Sequence, residues 1–254
     1  MRKHLVIPDV QVKDGHDFAF LEAAGNFIAE KKPDVVIQIG DFADMESLSS
    51  YDKGKKSFEG RRYKKDIEAA KEAMYFLTEP IRKESEKLVQ GRRKRWKPRQ
   101  VLTLGNHEHR IDRAINEDPK LDGVLSVNDL CYSSFGWEVH TFLDVAIVDG
   151  IAYSHYFTTG VMGRAVTSAR VLLSKKHMSA VMGHHQHWDI ARDVRADGIP
   201  IIGLFCGSFY EHNEDYLGPQ GNSYDRGIWM FHEVVDGSFQ PMYISLKYLK
   251  DKYL

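Results

Sequence analysis

The sequence predicts a mixed α/β fold, and three observations carry that prediction. Short apolar, β-branched-rich runs recur at His4 to Ile7, Val35 to Ile39, Val101 to Leu104 and Ala180 to Met182. Stretches with apolar residues at helical spacing separate the first three of these runs. Each run stops at glycine, proline or aspartate, and side chains fit for metal or proton chemistry follow at once. Open α/β sheets hold their ligands at that end of the strands.

Taken in order, His4 to Ile7 reads as a buried parallel strand ending in the loop Pro8-Asp9-Val10-Gln11. Asp17 suits the N-cap of a helix from Phe18 to about Lys31, with Phe20, Leu21, Ala24, Phe27 and Ile28 along one face. Pro33-Asp34 breaks that helix. A second strand, Val35 to Ile39, ends at Gly40-Asp41-Phe42-Ala43-Asp44, so the first two strands form a βαβ unit. A polar loop precedes a long helix from about Arg61 to Gln90, where Pro80 is a candidate break. Gly91 ends it, a basic loop runs from Arg92 to Pro98, and the third strand leads into Gly105-Asn106-His107-Glu108.

Beyond Glu108 the sequence predicts short helices, then strands at Trp137 to Phe142, Val145 to Val148 and Ile151 to Ser154, with His155 just past the last. A helix is expected from about Arg164 to Lys176. The strand Ala180 to Met182 ends at Gly183-His184-His185-Gln186-His187. Strands at Asp189 to Arg195, Ile199 to Cys206, Arg226 to Val234 and Phe239 to Ser245 complete a second group.

The chain of 254 residues, 43% hydrophobic and 28% charged, fits one domain over 1–254 with a helical, basic insertion at about 45–98. No apolar run is long enough for a membrane helix. The N-terminus enters a strand without the apolar segment of a signal peptide, and the two cysteines, Cys131 and Cys206, do not suggest a disulfide. A cytoplasmic location is the expectation. Net charge is −1, yet nine basic and two acidic residues lie between Arg82 and Arg99.

Five strand ends carry candidate ligands: Asp9 and Gln11, Asp41 and Asp44, Asn106 and His107, His155, and the histidines of 184–187. Carboxylate, amide and imidazole groups without thiolate suit a borderline divalent metal such as Mn²⁺, Fe²⁺, Zn²⁺ or Ni²⁺. Seven or so ligands are too many for one ion; two ions about 3.5–4 Å apart sharing a carboxylate are the natural solution. Any one of these residues taken alone reads more simply as a turn, cap or half-buried residue. Their joint order points to a site. His4, His16, His109, His140, His177, His212 and His232 read as structural or surface residues.

The motif order resembles the calcineurin-like metallophosphoesterase superfamily, in its phage and bacterial type, over about residues 3–210. Gly40-Asp-Phe-Ala-Asp44 and Gly105-Asn-His-Glu108 match its pattern fully. The resemblance implies a four-layer α/β/β/α sandwich and a dinuclear site whose bridging hydroxide attacks phosphorus. It implies that Asp41 bridges the metals, that Asp9 and Gln11 bind the first, and that Asn106 and His155 bind the second. His107 then protonates the leaving oxygen, oriented by Asp44. Gln11 stands where the superfamily usually has His, which tilts preference towards Mn²⁺ or Mg²⁺. For the last motif two registers are open. The one supplying two imidazoles, His185 on the second metal and His187 on the first, is favoured over His184 and Gln186.

The one-signed basic segment suggests a nucleic-acid substrate, with Arg92, Arg93 and Arg95 on phosphates and Trp96 stacked on a base. Tyr51, Arg61, Arg62 and Tyr63 are candidates for the same groove. The expected activity is therefore a metal-dependent phosphodiesterase or nuclease. The rivals are a phosphomonoesterase acting on small phosphates or phosphoproteins, and a non-catalytic nucleic-acid-binding protein.

Overall fold

The computed structural model describes residues 1–50, 54–213 and 224–254. Tyr51 lies outside the described residues. The fold is mixed α/β. In chain order the first strands are β1 (Arg2–Ile7), β2 (Val35–Gln38), β3 (Arg99–Thr103), β4 (Glu138–His140), β5 (Ala146–Val148) and β6 (Ile151–Tyr153). There follow β7 (Thr158–Thr159), β8 (Arg164–Ala165), β9 (Ala180–Met182), β10 (Trp188–Val194) and β11 (Pro200–Cys206). The last are β12 (Gly227–Val235) and β13 (Ser238–Ser245). Among the described residues the α-helices are α1 (Ala19–Lys31), α2 (Tyr63–Gln90), α3 (Arg110–Glu117), α4 (Ala169–Lys176) and α5 (Leu246–Tyr253).

Among the described residues one sheet has the order β13-β12-β1-β2-β3-β4, a second β10-β11-β9-β6-β5, and β7 pairs with β8 alone. Strands β1 to β4 are mutually parallel, as are β6, β9 and β11. The alternation of β1 shows how the sheets are buried. Leu5 and Ile7 join an apolar cluster with residues of α1, α2 and α5, while Val6 joins one built from side chains of both sheets. Successive side chains of a strand point to opposite faces, so a strand covered on both sides reads as a continuous apolar run. A third cluster joins Ala152, Ala180, Met182 and Phe205 to Leu172 of α4.

Four expectations need adjustment. The C-terminal hairpin β12–β13 belongs to the first sheet, where β12 pairs antiparallel with β1. Hydrophobic pattern alone gives no information about which strand a hairpin joins. Helix α4 starts at Ala169, capped by the Ser168 hydroxyl on the N–H of Val171, because Arg164 and Ala165 pair with Thr158 and Thr159 in a small ribbon. Helix α2 runs through Pro80 without a break, its buried face set against α1. And α5, unforeseen in the sequence, is capped by Ser245 and packs Leu246 and Leu249 into the first cluster.

Candidate metal centre

The parallel strands bring the ends of β1, β2 and β3 together with those of β6 and β9. The loop after β1 is held to the loop after β2 by backbone: Val10 and Gln11 donate their N–H groups to the carbonyl of Asp41 at 3.0 and 2.8 Å. Gln11 and Asp41 both take left-handed backbone conformations, φ 47 and 49. Such conformations are uncommon outside glycine and collect at functional sites.

Glu108 ties the loop after β2 to the loop after β3. It is fully buried and accepts the N–H groups of Asp41, Ala43 and Gly105 at 3.0, 2.9 and 2.9 Å, and the Tyr132 hydroxyl at 3.3 Å. Burial, and then the neighbouring Asp41, push its carboxyl above the ordinary range. The two loops approach so closely that a Cβ on Gly105 would fall 2.0 Å from Asp41 Oδ1. One on Gly183 would fall 2.3 Å from Asp9 Oδ1. Only glycine leaves room for carboxylates at these two points.

Around this cradle the side chains converge. Asp41 Oδ1 accepts the His107 N–H at 2.9 Å, and Oδ2 lies 3.2 Å from His155 Nε2. His155 Nδ1 donates to the carbonyl of Ile39 at 3.0 Å, so Nε2 is the nitrogen turned to the site. Asn106 Oδ1 is 2.9 Å from His155 Nε2 and 2.9 Å from His184 Nδ1. Ligand atoms of Asp41, His155 and His184 lie within 4.8 Å of one another. Asp9, fully buried, takes the backbone N–H of His184 at 3.1 Å.

The electrostatics of this cluster fit a cation. Burial pushes the Asp9 carboxyl up to about 7, against the pull of His155, and the Asp41 charge adds to the rise. Burial works against a charged His155, but Asp41, Asp9 and the Ile39 carbonyl together outweigh it and push the ring up to about 9. Burial, with His155 beside it, pushes His184 down to about 4, which leaves it a neutral imidazole. A divalent ion would take the place of the proton on His155 Nε2, among an amide, a carboxylate and a second imidazole that face it.

Next to the cluster stands a dyad. His107 Nδ1 is 2.5 Å from Asp44 Oδ1. Desolvation works against the charged imidazole, but Asp41 and Asp44 outweigh it and the His107 pKa is raised. Asp44 is desolvated too, yet His107, Lys13 and Arg110 hold its carboxyl well below the usual range. Lys13 Nζ is 3.2 Å from Asp44 Oδ2. Arg110 reaches the Asp44 carbonyl at 2.7 Å and its Oδ1 at 3.1 Å, with Nη2 3.3 Å from His107 Nε2.

Asp9, Asp41, Asp44, Asn106, His107 and His155 are thus brought together, and Gln11 joins them through its backbone. Other expected residues are not. His185 turns away, with Nε2 2.6 Å from the Val166 carbonyl and its ring stacked on Phe205 at 4.9 Å. His187 lies against the His185 ring at 5.9 Å. The left-handed backbone of His184, φ 69, sends its own ring back to Asn106, so His184 occupies the place expected of His185.

Arg92, Arg93, Arg95 and Trp96 precede β3 and lie at the opposite ends of the strands. Trp96 donates Nε1–H to the carbonyl of Pro33, ahead of β2, at 2.9 Å and is partly buried against the helical core. A strand rises about 3.3 Å per residue, so the length of β3 separates these residues from His107 by on the order of 15 Å. Arg61 is paired with Glu46, and Tyr63 with Asp129 at 2.7 Å.

Lys13, Arg110 and the clamp role of Glu108 were not singled out from sequence, whereas His184 belongs to the register that the sequence left second. Arg110 had a signal: it sits three residues after His107, the spacing that shares a helix face. No family model matches the chain, and no curated protein matches it. Among solved structures 32 chains match; one is 13% identical, with a TM-score of 0.43, over 96% of this chain and 99% of its own. Among the described residues no helix is long and apolar enough to cross a membrane.

Proposed function

We propose that this protein is a divalent-metal-dependent phosphoester hydrolase of the calcineurin-like kind. The observation that carries the reading is the double role of one carboxylate: Asp41 faces His155 with Oδ2 and takes the His107 N–H on Oδ1. It stands at the junction of a ligand cluster and an acid–base dyad. In this reading the two sheets and their flanking helices are a four-layer α/β/β/α sandwich, supported by the apolar clusters on both faces of each sheet.

Asp41, Asn106, His155 and His184 would hold one ion. Asp9 and Gln11, sharing Asp41, would hold a second. Mn²⁺ is the first choice, and Mg²⁺, Fe²⁺, Zn²⁺ or Ni²⁺ are alternatives. Such ions supply Lewis acidity towards a phosphoryl oxygen and lower the pKa of water. The chain's own residues do the rest. Asp44 fixes the His107 ring through Nδ1, which leaves Nε2 to deliver a proton to the departing oxygen. Arg110 and Lys13 hold Asp44 ionised and add positive charge for an anionic substrate.

The preference for diesters rested on the basic segment, and that segment stands away from the dyad. The reading is therefore phosphate-ester hydrolysis, with diester over monoester left to assay. Protein loaded in turn with Mn²⁺, Mg²⁺, Fe²⁺, Zn²⁺ and Ni²⁺ is offered bis-p-nitrophenyl phosphate and p-nitrophenyl phosphate, beside His107→Asn. Turnover that His107→Asn abolishes supports the reading. Absence of turnover with all five metals, or turnover indifferent to His107, overturns it.

A further inference from the structure

Arg92, Arg93, Lys94, Arg95 and Lys97 are all exposed, and none has an ion pair or side-chain hydrogen bond among the described residues. Their loop is nonetheless fixed. Arg93 N–H bonds the Leu88 carbonyl at 2.8 Å, Trp96 is anchored on Pro33, Pro98 is buried, and Arg99 N–H bonds the Asp34 carbonyl at 3.0 Å. A set of cations on an ordered support, without partners, keeps a high local potential.

Beside the loop lies a groove of about 410 Å³ between α2 and the start of β3, lined by Tyr75, Arg95, Lys97, Gln100, Ser134 and Phe135. Its acidic wall is neutralised, since Arg82 pairs with Glu79 at 2.7 Å and Glu86 at 2.5 Å, and Lys83 lies 3.6 Å from Glu79. Tyr75 is 52% exposed. The Gln100 amide Nε2 is buried without a hydrogen-bond partner among the described residues.

We propose that this groove and its basic rim bind single-stranded nucleic acid, at a site separate from the metal centre. The cations take the phosphates, and the exposed ring of Tyr75 stacks on a base. A duplex hides its base faces and fits the groove less well. The proposal goes beyond the hydrolase reading and does not depend on it.

The test is fluorescence anisotropy with labelled single-stranded DNA and RNA oligonucleotides in EDTA, so that binding is seen without turnover. Wild type is compared with a variant carrying Gln at all five cations and with Tyr75→Ala, all checked for unchanged circular dichroism and Tm. The Gln variant is expected to bind at least about tenfold more weakly. Its salt dependence should flatten from a log–log slope of about −3.5, the value for five phosphates on a single strand. Tyr75→Ala should weaken single-strand binding about tenfold. Unchanged affinity in either variant, equal affinity for a duplex, or binding to phosphatidylserine vesicles with none to the oligonucleotides overturns the proposal. A wild type that binds strands and hydrolyses no phosphoester fails only the hydrolase reading.

Discussion

Asp44 Oδ1 and His107 Nδ1 stand 2.5 Å apart, a carboxylate and an imidazole from loops 63 residues apart in sequence. The short contact fixes the ring, with Nε2 on the side of Arg110 and the Asp41 carboxylate. His107→Asn should then lower kcat by about 10²–10⁴-fold, the range of a positioned general acid. Metal uptake should stay within a few-fold, because His107 donates to Asp41 through its backbone N–H. Calorimetric Mn²⁺ titration beside kcat checks both halves. Equal losses of metal and rate would make His107 a ligand instead.

The choice between adjacent histidines is open to the same titration. His184→Ala removes an imidazole that faces Asn106 and should weaken Mn²⁺ binding more than tenfold. His185→Ala removes a ring bonded to the Val166 carbonyl and should leave Mn²⁺ affinity within about twofold while lowering Tm. The reverse pattern would restore the register favoured from sequence.

Much of this site was legible in the chain because its chemistry sits where strands stop. Asp9, Asp41, Asn106, His107 and His155 all follow an apolar run, and the run is what fixes the position. The histidine register was not legible, since it turns on one φ angle at His184 that no spacing encodes. The distance of the basic segment from the reactive loops was hidden for a related reason. Sequence shows that it adjoins β3 but not that it lies at the strand's other end from the reactive loops. The clamp role of Glu108 was hidden because its partners are backbone N–H groups, which every residue has. The place of β12 beside β1 escaped because antiparallel pairing at that range leaves no local mark.

Glu108→Gln tests the clamp. The carboxylate offers two oxygens to three backbone N–H groups, whereas an amide offers one oxygen and turns an NH₂ towards donors. A buried donor left unpaired costs about 1–3 kcal/mol. Urea denaturation should show a loss in that range, together with weakened metal binding, since Asp41 and Gly105 lose their common tie. A variant with unchanged stability and Mn²⁺ affinity would refute the clamp.

Gly105→Ala probes the approach of the same two loops. The added methyl would lie 2.0 Å from Asp41 Oδ1 and 2.3 Å from its backbone nitrogen, and the second of these cannot swing aside. Overpacking of this kind costs about 1–3 kcal/mol. The carboxylate most central to the ligand cluster should shift, so metal affinity should fall together with Tm. An alanine variant with wild-type Mn²⁺ affinity would mean that the loops move apart freely.

His4 sets a pH dependence at the far pole of the sheets. It is fully buried, with Nδ1 2.8 Å from the Tyr153 hydroxyl and Nε2 2.8 Å from Asp149 Oδ2. Burial lowers its pKa from 6.5, and the opposing pull of Asp149 does not restore it. The folded state therefore favours the neutral ring, and the unfolded chain binds the proton more readily. The sign follows from linkage: the His4 contribution is complete above about pH 6.5 and is lost as pH falls towards the folded value. Tm measured from pH 7.5 down to 5 should decline, and His4→Asn should flatten that decline while lowering Tm at neutral pH. A His4→Asn variant whose Tm falls as steeply as wild type over this range would show that His4 takes no part in the acid sensitivity.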